Sequence, residues 1–280
     1  MELHNGDCLE IMKSIPDKSV DLIICDLPYG CLTNQTGKSK GFERPSWKLH
    51  PDLYRANKAG GTVAWDIKID LPAFWEQVKR IRKNPNSPCL HFCTTKFGFE
   101  LGASNPAEFR YDLVWDKQRG VSFLTANKMP MRSHEMIYVF SKAGAFYKRK
   151  DIESDKPAWE KEPNSVRKQQ VYTNEIKRTT SFGEAGKRCP LSVIDIKQKS
   201  SYHMKGQHPT EKPVDLYKFL LERYCPAGGT VLDPTFGSGN SGKAAKELGL
   251  KYIGIEKDEA FFKKAKSILL PEAEEVVIQL

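Results

Sequence analysis

The chain has no apolar run long enough to cross a membrane. A spanning helix needs about 20 apolar residues, and no stretch of the 280 residues approaches that length. Residues 1–5 are acidic and polar, where a secretory signal would be basic and then apolar. Cysteines are few and odd in number, seven in all. These absences argue against a membrane protein, secretion and a disulfide framework, and they favour a reducing, cytoplasmic setting.

Acidic residues are in deficit relative to basic ones. The chain has 44 Lys and Arg against 35 Asp and Glu, which gives a net charge of +9. With 39% hydrophobic and 28% charged residues, the composition is that of a globular chain and not a disordered one. A basic chain of this kind most often binds a polyanion, although an excess of lysine also serves solubility alone.

Most of the excess positive charge lies in residues 142–205. This segment contains 15 Lys and Arg and 8 Asp and Glu, so it carries +7 of the +9. Aromatic residues alternate with basic clusters and turn residues are frequent, which suits an inserted, loop-rich region that follows a phosphate backbone. The alternative is an ordinary solvated surface. The candidate DNA-binding residues are Lys148, Arg149, Lys150, Arg167, Lys168, Lys177 and Arg178.

The rest of the chain alternates short apolar runs with helical periods. Residues 20–25 and 230–232 are typical of buried strands, and residues 71–82 and 214–224 have helical periodicity. Such alternation predicts a doubly wound α/β sheet with helices on both faces. In these sheets, ligands bind beyond the carboxyl ends of the strands.

Residues 230–243 are the most specific local signal, because they read as a strand, a glycine turn and the start of a helix. Gly237, Gly239 and Gly242 fit the dinucleotide pattern G-x-G-x-x-G. The same segment fits a phosphate-binding loop, except that Ala244 replaces the Ser or Thr that would hold Mg²⁺. The nucleoside triphosphatase interpretation is therefore weak.

Charge distinguishes the two remaining ligands of this loop. Asp233 at the strand tip would place a carboxylate beside the pyrophosphate of NAD, whereas it would attract the ammonium and sulfonium groups of S-adenosylmethionine (SAM). Glu256, after the next apolar run, can accept hydrogen bonds from both ribose hydroxyls of either ligand. Only 38 residues follow Gly242, so the other strands of the sheet must come from the N-terminal half.

Four segments resemble motifs of the amino-group DNA methyltransferases. Residues 26–29 read D-L-P-Y, similar to the catalytic D-P-P-Y, and residues 233–239 read D-P-T-F-G-S-G, similar to the SAM loop D-P-F-x-G-S-G. Residues 208–213, H-P-T-E-K-P, resemble the H-P-T-Q-K-P box. Residues 5–8 with 19–23 resemble the lead-in to the tetrapeptide. Their order identifies the chain as a member of the β class, which is circularly permuted relative to the other classes.

The resemblance implies a fold and a division of the chain. The fold is the Rossmann-like, seven-stranded α/β fold of SAM-dependent methyltransferases with an inserted recognition region. Residues 1–141 would form the catalytic half of the core, residues 206–280 the SAM-binding half, and residues 142–205 the target-recognition insert.

The resemblance also implies roles for the tetrapeptide Asp26, Leu27, Pro28 and Tyr29. The carboxylate of Asp26 and the backbone carbonyl of Leu27 would accept the two N–H groups of the target amine, and Tyr29 would stack on the flipped base. Proline is usual where Leu27 stands, so the loop loses a fixed φ. Trp115 and Lys117 resemble a W-x-K segment near the target base, and the alternative for Trp115 is a tryptophan that closes the core.

SAM is the implied cofactor, and Thr210 and Lys212 would lie near its carboxylate. No metal is expected, since Cys89, His91 and Cys93 lack a fourth ligand. The implied cofactor residues are Asp7, Cys8, His208, Thr210, Lys212, Asp233, Phe236, Gly237, Ser238, Gly239, Asn240 and Glu256.

The predicted function is methylation of adenine N6 in double-stranded DNA, in restriction-modification or regulatory methylation. Aspartate at the start of the tetrapeptide usually accompanies adenine in this family, and serine usually accompanies cytosine N4. Two alternatives remain open: a cytosine-N4 methyltransferase, and a DNA-binding module that has lost catalysis through Leu27. The family resemblance also implies two candidate partners, a second copy of the chain and a cognate restriction endonuclease.

Overall fold

The computed structural model describes residues 1–29, 68–121, 123, 126–155, 157–161, 181–198 and 211–271. The chain divides into two compact units. Residues Met1–Lys148 and Ser192–Leu280 form the first, and residues Arg149–Leu191 form the second. The first unit therefore takes in residues from both ends of the chain.

A single eight-stranded sheet organises the first unit. Its strands, in spatial order, are β1 (Glu2–Asn5), β12 (Lys251–Glu256), β11 (Thr230–Asp233), β2 (Leu22–Cys25), β3 (Cys89–Cys93), β5 (Arg132–Phe140), β4 (Phe109–Val121) and β10 (Val193–Asp195). Strand β5 is antiparallel to β3 and β4, whereas the other neighbouring pairs are parallel. The fold is therefore the predicted α/β methyltransferase type of sheet, with one strand more than the predicted seven.

The additional strand comes from the segment assigned to the recognition insert. Val193 of β10 pairs with Val114 of β4, in parallel. Only Ile194 of this strand is buried, and its neighbours Val193 and Asp195 are exposed. Three residues with one buried side chain give almost no periodic signal, which is why the sequence did not predict the strand.

Helices cover both faces of the sheet, as the alternating pattern predicts. Leu22 and Ile24 of β2 belong to one buried cluster, and Ile23 and Cys25 belong to the other. Successive side chains of a strand point to opposite faces, so β2 separates the two clusters. The helices are α1 (Cys8–Met12), α2 (Leu71–Ile81), α3 (Thr95–Ser104), α4 (Val214–Tyr224), α5 (Asn240–Glu247) and α6 (Glu259–Leu269).

Local signals explain where these helices begin. The Asp70 carboxylate accepts a hydrogen bond from the backbone N–H of Ala73 (3.1 Å) and caps α2. Asp258 caps α6 in the same way, through the N–H groups of Ala260 and Phe261. Among the described helices, none is both long and apolar enough to cross a membrane.

The second unit contains two short antiparallel pairs. Strand β6 (Ile152–Glu153) pairs with β9 (Lys187–Arg188), and β7 (Trp159–Lys161) pairs with β8 (Ser181–Gly183). Lys148 is the last residue of the first unit before the chain enters the second. Arg149 forms an ion pair with Asp151 at 2.5 Å. Four of the predicted DNA-binding residues lie outside the described residues: Arg167, Lys168, Lys177 and Arg178.

Candidate active site

The predicted catalytic tetrapeptide and the glycine loop follow neighbouring strands of the sheet. Asp26 comes directly after β2, and Asp233 is the last residue of β11. These strands are parallel neighbours, with Leu22 opposite Val231 and Ile23 opposite Leu232. Their carboxyl ends therefore meet at one edge, here called the catalytic edge, where ligands bind in sheets of this kind.

Both oxygens of the Asp26 carboxylate already have partners. The hydroxyl of Tyr29 donates to Oδ1 at 2.5 Å, and the ammonium of Lys212 donates to Oδ2. Burial raises the pKa of the Tyr29 phenol, and the negative charge of Asp26 raises it further. Tyr29 is thus a neutral donor, and its ring lies 5.1 Å from that of Phe97.

Leu27 is anchored by its side chain. It is 1% exposed and belongs to the same buried cluster as Cys25 and Phe97. Where proline would restrict the backbone through its ring, leucine holds the loop by burying apolar surface. The departure from the family pattern is therefore compensated by packing, and the backbone carbonyl is retained.

Asp26 belongs to a chain of four buried or partly buried charges. Lys212 contacts Asp26 and also lies 3.5 Å from Oε2 of Glu135, whose other oxygen accepts a hydrogen bond from Lys117. The Lys212 ammonium is further placed over the ring of Phe92, 4.6 Å from its centroid. We call Asp26, Lys212, Glu135 and Lys117 the charge chain; its two carboxylates balance its two ammonium groups.

Opposite charges keep Lys212 and Glu135 in their ionised forms. Burial alone would lower the pKa of the Lys212 ammonium, but the carboxylates of Asp26 and Glu135 outweigh it, so the pKa lies above its usual value. Burial would raise the pKa of Glu135, yet Lys212 and Lys117 bring it below the usual value. Lys212 and Glu135 are therefore a pair of ions and not two neutral hydrogen-bonding groups.

The glycine loop turns sharply between β11 and α5. Gly237 and Gly239 have positive φ angles of 53° and 81°, which residues other than glycine rarely adopt. A Cβ atom on Gly239 would also lie 3.1 Å from Ala265. Asn240 begins α5, and its side-chain amide donates to the carbonyl of Lys212 at 2.8 Å. The loop is thereby tied to the segment that carries the lysine of the charge chain.

Asp233 is turned into the protein and organises the loop. It is 2% exposed, and its carboxylate accepts from the backbone N–H of Thr235 (3.1 Å) and from the Ser241 hydroxyl (2.6 Å). Burial raises its pKa to about 7, although both hydrogen bonds act in the opposite direction. Its negative charge is thus poorly solvated, and a nearby cation would stabilise it.

Glu256 closes the next strand of the same edge. Its two carboxylate oxygens accept hydrogen bonds from the backbone N–H groups of Gly237 (2.9 Å) and Asp258 (2.8 Å). A carboxylate has about four lone-pair positions, so two remain for other donors. Burial raises the pKa of Glu256 despite these bonds. Phe236, in the loop, is buried and donates its N–H to the carbonyl of Ile255 at 3.0 Å.

Asp7 and Cys8 lie at the start of α1, beside Glu256. Asp7 caps the helix through the N–H of Leu9 (3.0 Å) and accepts from the Lys257 ammonium (3.1 Å). Burial acts to raise the Asp7 pKa, but these contacts lower it overall. The Cys8 thiol is buried, which raises its pKa to about 12. Cys8 therefore contributes packing rather than charge.

The structure describes some of the predicted site residues and not others. Ser238 and Gly237 line a cleft together with Lys243 and Phe261. His208 and Thr210 lie outside the described residues. Trp115 is fully buried, in agreement with the core alternative. Within the described ranges, no group of three or more His, Cys, Asp and Glu is arranged to hold a metal ion.

Sequence reasoning missed Glu135, although a signal was present. Glu135 directly precedes the apolar run of residues 136–140, and a charged residue beside such a run often has a specific partner. Lys117 was noticed only as part of the W-x-K segment. Lys212 was predicted near the cofactor carboxylate, whereas the structure places its ammonium on Asp26.

Comparison with known proteins agrees with this geometry. The sequence model of the DNA methylase family N6_N4_Mtase matches residues 20–267. The Type II methyltransferase M2.DpnII of Streptococcus pneumoniae is 42% identical over 98% of this chain and 91% of its own length. M.HinfI of Haemophilus influenzae, also a Type II methyltransferase, is 27% identical over 94% of this chain and 67% of its own length.

Solved structures share the fold. The cytosine-N4-specific PvuII DNA methyltransferase superposes with a TM-score of 0.60 at 15% identity, covering 97% of this chain and 86% of that one. The M1.HpyAVI–SAM complex gives a TM-score of 0.54 at 19% identity, covering 96% and 98%.

The fold and the motifs at the catalytic edge define an α/β methyltransferase. The chain belongs to the N6/N4 family of DNA methylases. It is therefore a DNA methyltransferase. The prediction of SAM as the cofactor is confirmed, because the enzymes of this family depend on SAM.

Proposed function

We propose that this protein transfers a methyl group from SAM to N6 of adenine at a specific sequence in DNA. The observation that carries the proposal is the Asp26 carboxylate, held by Lys212 at the end of β2 beside the glycine loop. A carboxylate is a stronger acceptor for an amine proton than the serine hydroxyl that usually accompanies cytosine N4 in this family. Leu27 is packed in place and keeps its carbonyl, which supports an active enzyme.

The chemistry needs an acceptor because the lone pair of an exocyclic amine is delocalised into its ring. Asp26 would accept one N–H and the Leu27 carbonyl the other, which favours the amine as it becomes tetrahedral. SAM, when bound, would supply the electrophilic methyl group and leave as S-adenosylhomocysteine. The Asp26 carboxylate would take the proton that the amine nitrogen loses as the new N–C bond forms. The hydroxyl of Tyr29 now occupies Oδ1 of Asp26. The incoming amine would displace it, leaving the ring to stack on the base.

The cofactor would lie along the carboxyl ends of β11, β12 and β1. Glu256 has acceptor positions left for the ribose hydroxyls, and the turn at Gly237 and Gly239 permits close approach of the backbone. Asp233 would stabilise the positive charge of SAM from behind the loop. The other described residues proposed to bind SAM are Asp7, Cys8, Phe236, Ser238 and Asn240. The family resemblance adds His208, Thr210 and Lys212 as predicted SAM-binding residues.

Substitution of Glu256 by alanine should weaken SAM binding. Loss of a charged acceptor for two hydroxyls is worth about 1.5–3 kcal/mol, so the dissociation constant should rise about tenfold or more. Calorimetry with SAM measures this. Glu259→Ala is the matched control. Glu259 lies three residues after Glu256, is exposed, and forms its ion pair with Lys263. Equal affinities of Glu256→Ala and Glu259→Ala would contradict the ribose assignment.

Type II relatives supply the biological setting of the proposal. These relatives are named Type II methyltransferases, and we infer for this chain a role in restriction-modification or regulatory methylation, with a cognate endonuclease as partner and a homodimer as assembly. The basic residues Lys148, Arg149 and Lys150 are proposed to contact phosphates. The same proposal covers Arg167, Lys168, Lys177 and Arg178.

Product analysis tests the target base directly. DNA from cells that express this chain and lack other methyltransferases is digested to nucleosides and analysed by mass spectrometry. We expect N6-methyladenine and no N4-methylcytosine. N4-methylcytosine as the main product would overturn the adenine assignment and favour the second candidate, a cytosine-N4 enzyme, which the fold match to the PvuII enzyme makes the natural rival.

A further inference from the structure

The hairpin that joins β4 to β5 carries apolar side chains that are exposed to solvent. Phe123 is 77% exposed, Met129 58% and Met131 40%. The described part of the chain has eleven exposed large hydrophobic residues, and three of them lie within the nine positions 123–131. Such a concentration marks an interaction site rather than random surface.

The hairpin projects from the catalytic edge. Lys117 of β4 contacts Glu135 of β5, and both belong to the charge chain that holds Asp26. Strand β4 continues from Lys117 to Val121, which pairs with Arg132. Arg132 lies two residues beyond His134, the partner of Asp116, so β4 bulges here and the paired strands extend roughly 7 Å further. The tip is therefore carried outward from the edge where the target base must enter.

The charge of the hairpin is of one sign. Residues 117–134 contain two lysines and two arginines and no aspartate or glutamate. Arg119 and Lys128 are exposed beside the apolar residues. Basic groups mixed with apolar side chains complement a nucleic acid, whose surface presents phosphates and, where a base has left the stack, apolar ring faces. A second copy of the same hairpin would instead be repelled.

We propose that this hairpin tip, comprising Arg119, Phe123, Lys128, Met129 and Met131, contacts the DNA duplex beside the target base. Its apolar side chains occupy the gap in the base stack that the flipped base leaves, and its basic side chains contact the flanking phosphates. The inference rests on DNA as substrate and on the base flipping in the proposed mechanism. It does not depend on whether that base is adenine or cytosine.

Comparison of duplex and single-stranded substrates tests the apolar contact. Once sequencing of methylated DNA has given the site, two oligonucleotide substrates carry it, one duplex and one single-stranded. A single strand has no stack to open, so the contact matters only in the duplex. We expect Phe123→Ala and Met129→Ala together to lower kcat/KM on the duplex about tenfold and to change it less than about threefold on the single strand.

Matched variants separate this result from general damage. Phe99→Ala removes an equally exposed phenylalanine from α3 (73% exposed) and should leave kcat/KM on both substrates unchanged. SAM affinity of all variants should equal that of the wild type. An equal loss on both substrates, or no loss on either, would overturn the proposal. An incorrect target base would appear only in the methylated product and would leave this comparison valid.

The salt dependence of DNA binding tests the basic contacts. Each phosphate contact removed should lower the slope of log K against log salt by about 0.9 on duplex DNA. We expect Arg119→Gln with Lys128→Gln to lower it by nearly twice that amount. Lys251→Gln is the control, since Lys251 is exposed at the start of β12, on the opposite edge of the sheet. A slope equal to that of Lys251→Gln would refute the phosphate contacts.

Discussion

Replacement of Asp26 by alanine is expected to lower methyl transfer by about two orders of magnitude or more, the scale of removing one preorganised electrostatic partner. The carboxylate lies at the end of β2, where Lys212 and Tyr29 fix both of its oxygens. Its loss removes the charged acceptor for the amine proton. Single-turnover methylation of duplex DNA measures the chemical step without a contribution from product release.

Two further measurements limit the interpretation of this variant. SAM binding, measured by calorimetry, should be retained, because the described contacts of Glu256 and Gly237 do not involve Asp26. Asp26→Asn keeps the shape and one acceptor oxygen but loses the charge, so its rate should lie between those of the wild type and Asp26→Ala. A fully active Asp26→Ala protein would refute the mechanism.

The central strands could be predicted because burial imposes a simple pattern. All residues of β2 and β3 are buried, and such continuous apolar runs are typical of strands covered on both faces. Strand β1 has no fully buried residue, and β10 has one. Neither has an apolar run or a clear alternation, and their pairing depends on the backbone of β12 and β4.

The motifs at the catalytic edge could be predicted from their order, whereas the charge chain could not. Asp26 and Lys212 are 186 residues apart in sequence, and Lys117 and Glu135 are 18 apart. The contact of Lys117 with Glu135 depends on the register of antiparallel β5 against β3 and β4, which pairs Met136 with Cys93 and Glu135 with Trp115. A one-residue shift would turn Glu135 to the other face. No local pattern encodes this register.

Lys212 has two competing assignments that make different predictions. The family resemblance places it near the SAM carboxylate, and a lysine in that role would contribute mainly to cofactor affinity. The structure places its ammonium on Asp26 and near Glu135, with 4% of the side chain exposed. In that position it compensates the charge of both carboxylates and holds Asp26, the proposed acceptor for the amine proton.

Substitution of Lys212 by methionine should therefore lower both stability and methyl transfer while SAM affinity is kept. Removing Lys212 leaves the Asp26 carboxylate without its ionic partner, whereas Glu135 keeps Lys117, and the loss of one partner of a buried ion pair costs about 3–5 kcal/mol of the free energy of unfolding. Urea denaturation measures this loss, and the double variant Lys212→Met/Asp26→Asn should recover part of it, since the uncompensated charge is removed as well. Lys212→Arg retains the charge and is the conservative control. A Lys212→Met protein that unfolds like the wild type but binds SAM about tenfold more weakly would instead assign Lys212 to the cofactor. An affinity change of that size corresponds to about 1.4 kcal/mol of lost contact with SAM itself.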